Sequence, residues 1–437
     1  MIKRMFDAYE TTCFSLLSGC SSFSKVTPWL KSSSTSKELV HAPWDRFHID
    51  IFDLIFELLD LEDRIRFKLV CKQWRDNTKQ ISQPLWLMFP HQPNNECLSF
   101  FDMCDGKVVK LNLPKSVRGG WVFGCSKGWL FLAMRTTFRK LRILLFDPIS
   151  KAQIPLPLLP TTSSFKERFI DRLDEWIPSA CTIGSVESSS CIVAVIFGEY
   201  LAVCRPGDQR WTLVEGLLAE GYSYGNIIFF KGELYASVMS TEDVANNVSF
   251  QTHSITIGSR RVKLKLIYSP PPSLLLFYDE DADGMLSYHK DCNRLPCLLE
   301  SNGQLLMVTQ ILDAISTHRE EENLLRYLQA ADFQIFKIQT TEDALCLTSL
   351  PHLDNQSLFL GIGDCLALNN PDKFHKNCIY FLQLLDYEND LTWPYVCREA
   401  GVYHLDDGSI KRCLPSIQTE NNSFMHWFSP NINSVYM

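Results

Sequence analysis

Gly221-Tyr222-Ser223-Tyr224-Gly225 is a G-x-S-x-G pentapeptide, the pattern that presents a nucleophilic serine. Such an elbow needs a strand before the serine and a helix after it, so that the turn lifts Oγ into the site. Here the context is inverted. The Glu215–Glu220 stretch gives no strand, and Asn226–Phe230 is β-rich and runs into a hairpin. The pentapeptide therefore reads as a loop. Asp279, Asp281, Asp283 and Gly284 imitate the start of a calcium loop, but its twelfth position, which should be a bidentate glutamate, is Lys290. That stretch reads as a solvated acidic loop. His289, Cys292 and Cys297 are the nearest approach to a zinc set, and they lack a second ligand pair at a matching spacing. No phosphate-binding G-x-x-x-x-G-K-[ST] and no H-E-x-x-H occurs. The expectation is a non-enzyme without catalytic residues, metal or cofactor.

The elements that carry these residues belong to a chain of 437 residues, 46% hydrophobic and 21% charged, with a net charge of −8. That composition is globular, and at roughly 100–200 residues per domain it allows two to four domains. An acidic balance lacks the basic footprint of a nucleic-acid binder. No apolar run reaches the length of a membrane span, so neither nucleic acid nor membrane is expected as a partner. The 28 phenylalanines supply a large core. The 16 cysteines are scattered without a C-x-x-C pair, and they read as reduced, buried, small hydrophobes. Residues 1–40 are serine-rich and acid-poor, and read as a disordered leader.

Residues 41–90 have a helical texture. Apolar positions 51, 55, 58 and 59 share one face of a helix over Asp50–Leu59. Asp60 and Asp63 can cap a second helix over 61–75. From residue 95 to 430 short apolar runs alternate with turn signals. Gly124–Lys127, Lys231-Gly232-Glu233, Ser301-Asn302-Gly303 and Asp407-Gly408 each read as a β-hairpin. About 335 residues of short strands is long for one sandwich, whereas blades of about 40–50 residues would make a β-propeller of six to eight. Thr317–Ala331 carries an acidic start and Leu324, Leu325 and Leu328, which predicts a helical insertion.

The segment 47–74 resembles an F-box. Phe47-His48, Ile51, Phe52, Ile55, Phe56, Leu59, Leu61, Asp63 and Val70-Cys71-Lys72-Gln73-Trp74 follow the family pattern without a gap, and Pro84-Leu85-Trp86 resembles the tail that often follows. His48 stands where the family carries proline, which removes some pre-organisation of the first helix. The remainder is similar to plant F-box proteins with a kelch-like β-propeller of the KIB type. The stretches that carry this include Cys125–Leu130, Phe146-Asp147-Pro148, Cys204–Asp208, Ile228–Tyr235, Glu300–Gly303, Leu358–Gly361, Asn377–Phe381, Asp407–Ile410 and Trp427-Phe428. The resemblance implies a small all-α F-box followed by a large all-β domain. It implies a substrate adaptor of a Skp1–cullin–F-box ubiquitin ligase, in the nucleus or cytoplasm, whose propeller holds a target protein. The residues it assigns to Skp1 binding are Phe47, His48, Ile51, Phe52, Ile55, Leu59, Leu61, Val70, Cys71 and Trp74. The alternative left by His48 is an interaction propeller with a degenerate F-box, acting outside a ligase.

Overall fold

The computed structural model describes residues 49–59, 63, 64, 67, 68, 74, 84–91, 94–135, 141–158, 180–183, 191–197, 200–214, 222–240, 250–257, 262–268, 278–280, 286–288, 292, 293, 297–317, 325–340, 345–361, 365–369, 374–385, 396–412 and 425–430. The chain divides into two units, Met1–Gln83 with Asn431–Met437, and Pro84–Pro430. Pro84-Leu85-Trp86 lies in the second unit, whose first strand begins at Trp86.

In the first unit, α1 spans Ile49–Leu58. Asp63, Arg64, Phe67, Lys68 and Trp74 are helical as well, in agreement with the second helix expected over 61–75.

In the second unit every described element longer than one turn is a strand. The first sheet takes β1 (Trp86–Met88), β2 (Cys97–Asp102) and β3 (Lys107–Asn112). The second takes β4 (Trp121–Ser126), β5 (Trp129–Arg135), β6 (Leu141–Phe146) and β7 (Gln153–Leu158). The third takes β8 (Ala180–Ile183), β9 (Val193–Phe197), β10 (Tyr200–Cys204) and β11 (Thr212–Leu213). The fourth takes β12 (Tyr222–Phe230), β13 (Glu233–Ser240), β14 (Phe250–Ile257) and β15 (Val262–Tyr268). A ribbon of β16 (Tyr278–Glu280) and β17 (Leu286–Tyr288) precedes the fifth sheet, which holds β18 (Cys292–Asn293), β19 (Cys297–Ser301), β20 (Gln304–Thr317), β21 (Leu325–Thr340) and β22 (Leu345–Ser349). The last sheet holds β23 (Gln356–Leu360), β24 (Cys365–Asn369), β25 (Cys378–Leu385), β26 (Val396–His404) and β27 (Ile410–Arg412). Finally β28 (His426–Phe428) returns to pair antiparallel with β1.

The leading strands touch in sequence, β28 to β4, β4 to β8, β8 to β12, β12 to β19 and β19 to β24, so the sheets stand side by side as propeller blades. Five of the larger sheets are wholly antiparallel. The last has the order β24-β23-β25-β26-β27, with β23 and β25 parallel. The expectation of six to eight blades is therefore corrected: among the described residues there are five regular blades, and the last sheet has a different topology. The cause is local: β24 folds back onto the far side of β23, so the chain re-enters beside β23 in the same direction.

The helical insertion expected at 317–331 is also corrected. Thr317 ends β20, and Leu325–Ala331 is extended in β21, with Leu328 opposite Ala314 and Leu325 opposite Thr317. The leucine spacing is helical, but a long partner strand offers ladder hydrogen bonds to every second residue, and that context overrides propensity.

Inner strands such as β9 are apolar without alternation because both faces are covered. Val193 and Val195 of β9 enter a cluster with Phe131 and Ile143, while Ala194 and Ile196 enter another with Ile227 and Leu234. Successive side chains of one strand point to opposite faces, so a strand between two blades buries all of them. The turns follow from φ. Lys127 and Gly128 have φ of 49° and 82°, Lys231 and Gly232 48° and 84°, and Asn302 and Gly303 50° and 70°. Two successive positive values define the type I′ turn whose twist matches an antiparallel hairpin. Gly124, expected in the first turn, instead lies within β4 at a register shift.

Candidate functional site

One side of α1 is pinned to the second helical stretch. Phe56, Leu59, Phe67 and Trp74 are buried. The Phe56 and Phe67 rings meet edge to face at 6.0 Å, and Phe67 lies 4.2 Å from Trp74. The helix ends with unpaired carbonyls, and Arg64 answers two of them: Nε donates to Phe56 O at 3.0 Å and a terminal nitrogen donates to Glu57 O at 3.1 Å. The Arg64 guanidinium stands 5.7 Å and the Lys68 ammonium 5.3 Å from the Phe56 ring centre. Burial pulls the Lys68 ammonium below its ordinary pKa.

The other side of α1 is uncovered. Leu54 and Leu58, one helical turn apart, are 62% and 68% exposed, and Ile55 between them is half-buried. Residues at i and i+4 lie over one another, so the two leucines form a continuous apolar stripe. This pair is the exposed apolar surface of α1 among the described residues.

This geometry divides the residues that the sequence assigned to a partner. Leu59 and Trp74 are buried within the unit's own packing, and Ile55 borders the exposed stripe. Ile51 and Phe52 lie in α1. Phe47, His48, Leu61, Val70 and Cys71 lie outside the described residues. Leu54 was missed and Leu58 was grouped with the wrong face. The readable signal was the i, i+4 pair Leu54 and Leu58, on a different side of the helix from the buried Phe56 and Leu59.

The motifs that resembled chemistry sit in plain sheet. Ser223 is extended in β12 opposite Met239, with no strand-to-helix turn around it. Asp279 pairs with Ser287 in the ribbon, and Asp281, Asp283, Gly284 and His289 lie outside the described residues. Cys292 and Cys297 both face β20, opposite Leu312 and Val308. Four strand residues separate those partners by about 13 Å, too far for two ligands of one metal ion. Among the described residues no group of three metal-ligating side chains is assembled. Cys125, Cys191, Cys204 and Cys378 are buried. Burial pushes Cys204 far above its ordinary pKa and Cys378 up to about 11, so both stay protonated.

A family model described as the KIB1-4 beta-propeller matches residues 100–404. The chain belongs to that family. An F-box domain model matches residues 44–80, which contain all of α1. Among curated proteins, an F-box/kelch-repeat protein of Arabidopsis thaliana is 26% identical over 204 residues, 44% of this chain and 53% of its own length. A second Arabidopsis F-box protein is 23% identical over 210 residues, 45% of this chain and 54% of its own. The chain thus spans about half the length of the curated relatives it matches. Among solved structures, TolB of Acinetobacter baumannii aligns with a TM-score of 0.35 at 9% identity, covering 80% of this chain and 68% of its own. A 6-phosphogluconolactonase-like protein of Bacteroides uniformis aligns at 0.30 and 11%, covering 78% and 97%. The KIB1-4 propeller and the F-box thus fall on separate units of the chain.

Proposed function

We propose that this protein is the substrate-recognition subunit of a Skp1–cullin–F-box ubiquitin ligase, acting in the nucleus or cytoplasm. The F-box would hold a Skp1-type adaptor and the KIB1-4 propeller a target protein, while the transfer chemistry belongs to other subunits. The observation that carries this reading is the uncovered Leu54/Leu58 stripe on a helix within the F-box match. Its opposite side is already fixed by Phe56, Phe67 and Trp74, so the stripe is surplus to the unit's own folding.

Fully burying a leucine contributes roughly 1.5–3 kcal/mol. A carboxylate in its place would be desolvated without a partner. Leu54→Asp with Leu58→Asp should therefore weaken capture of a Skp1-type adaptor by about 100-fold or more, read by co-purification and by calorimetric titration. Because both positions face solvent, the melting temperature should barely move. A wild-type chain that retains no Skp1-type protein would overturn the reading.

A further inference from the structure

The leading strands of the fifth and last sheets, β19 and β24, touch, and two contacts fix how they stand. At one end the Ser301 hydroxyl donates to Gln356 Oε1 at 2.5 Å. Ser301 is the last residue of β19, and Gln356 pairs with Asn369, the last residue of β24. At the other end the Phe333 and Phe381 rings stand 5.0 Å apart. Phe333 lies opposite Gln310, just past the Val308 that pairs with Cys297. Phe381 lies beside Leu360, which pairs with Cys365. The two strands therefore run in the same sense, and their first residues, Cys297 and Cys365, share one end of the junction.

Successive side chains point to opposite faces of a strand. Cys297 and Leu299 pack into the cluster that the fifth sheet shares with the last, while Leu298 enters one shared with the fourth. Cys365 and Ala367 pack into that same fifth–last cluster, while Leu366 and Leu368 join one shared with the first sheet. Each of the two thiols thus points toward the other's sheet, from the same end of two touching strands. Cys125, Cys191, Cys204 and Cys378 are buried, whereas Cys297 and Cys365 are half-buried, within reach of a small reagent in solvent.

We propose that Cys297 and Cys365 are an oxidative modification site, a dithiol that a peroxide converts into a disulfide stapling the fifth sheet to the last. This goes beyond the adaptor reading and does not depend on it. One thiolate attacks a peroxide oxygen, the O–O bond breaks, and a sulfenic acid and one water result. The second sulfur then attacks the first, and the sulfenic oxygen leaves as a second water. Two thiols have lost two electrons and two protons, and the peroxide has been reduced to two waters. Exchange with an external dithiol reverses the bond. A reversible disulfide of this kind is the one that a reducing compartment allows.

The test uses the full chain, reduced with dithiothreitol, freed of it and treated with hydrogen peroxide. After the remaining thiols are blocked with iodoacetamide, peptide mapping by tandem mass spectrometry should find Cys297 joined to Cys365. Dithiothreitol should undo the link. The urea midpoint of the oxidised chain should lie above that of the reduced chain, because the bond closes a long loop in the unfolded state. Cys297→Ser and Cys365→Ser, each alone, should abolish both the link and the shift. Cys97→Ser, at a half-buried cysteine of the first sheet, should leave both intact. Midpoints of the reduced variants separate the cost of serine in the packing from loss of the bond, and the mapping of the unsubstituted chain needs no variant to fold. The proposal fails if peroxide leaves both thiols unmodified or oxidises them without joining them. It fails equally if either joins another cysteine instead, or if the shift persists in the single serine variants.

Discussion

Burial leaves His91 with neither ring nitrogen bonded among the described residues. A protonated imidazole would be desolvated there, so burial lowers its pKa to about 4 from the ordinary 6.5. The sign of the pH effect follows. Between pH 6.5 and 4 the unfolded chain binds a proton at this residue that the folded chain does not, so stability falls as pH falls through that window. The full effect approaches about 3 kcal/mol at the low end and vanishes above pH 6.5. His91→Phe should flatten this part of the profile, measured as the difference between the two proteins in urea midpoints from pH 7.5 to 4.5. Parallel profiles would show that His91 does not titrate in this way. Nothing in the sequence marked His91, because a single histidine beside prolines has no pattern, and its burial depends on strands distant in the chain. Ser223 and the 279–284 acidic run were legible in the opposite sense. Their motifs failed on local context, an inverted strand order and a lysine at the twelfth position, which sequence alone displays.

At the scale of elements, turns and strands were the readable part. Lys231-Gly232 and Asn302-Gly303 sit where their φ values require them, because a two-residue hairpin is determined by its own residues. The β21 strand was misread because its competitor to helix, the β20 ladder, is a tertiary partner. Which stripe of α1 is covered was equally hidden: both stripes are apolar, and only the position of Phe67 and Trp74 decides between them. Gly401 shows the same limit. It lies opposite Phe381 across the β25–β26 ladder, and a Cβ there would stand 2.4 Å from the ring. Phe381 is itself packed against Phe333 at 5.0 Å and cannot retreat freely. Gly401→Ala should therefore destabilise the β domain by about 1–3 kcal/mol through overpacking. Phe381→Leu made in the same chain should recover part of that loss, giving a coupling in a double-mutant cycle. Additive effects of the two substitutions would show that ring contact is not the cause.

At the scale of the whole domain, the decisive contact joins residues at opposite ends of the sequence. β28 pairs with β1, and the Ser429 hydroxyl donates to Pro84 O at 3.2 Å across a separation of 345 residues. Trp86, Phe100 and Phe428 pack their rings at 5.2–6.2 Å on one side of this seam. Trp427 fills the other side beside Phe359, donates Nε1–H to Leu360 O at 2.9 Å, and its carbonyl accepts the Cys125 thiol at 3.0 Å. One tryptophan thus touches the last sheet, the first and the second. Closing so long a loop costs entropy that grows only slowly with its length. What fails without β28 is the packing, since β1 would expose a bare ladder edge and the Trp427 site would empty. Trp427→Ala should cost about 3–5 kcal/mol, as for other large-to-small changes at fully buried aromatics. Trp427→Phe should cost less, since it loses the hydrogen bond but keeps most of the volume. A chain ending at residue 424 should lose cooperative urea unfolding and become open to limited proteolysis within Trp86–Asn112. If that chain unfolded at the same urea midpoint as the full one, closure by the last strand would not be what holds the propeller together.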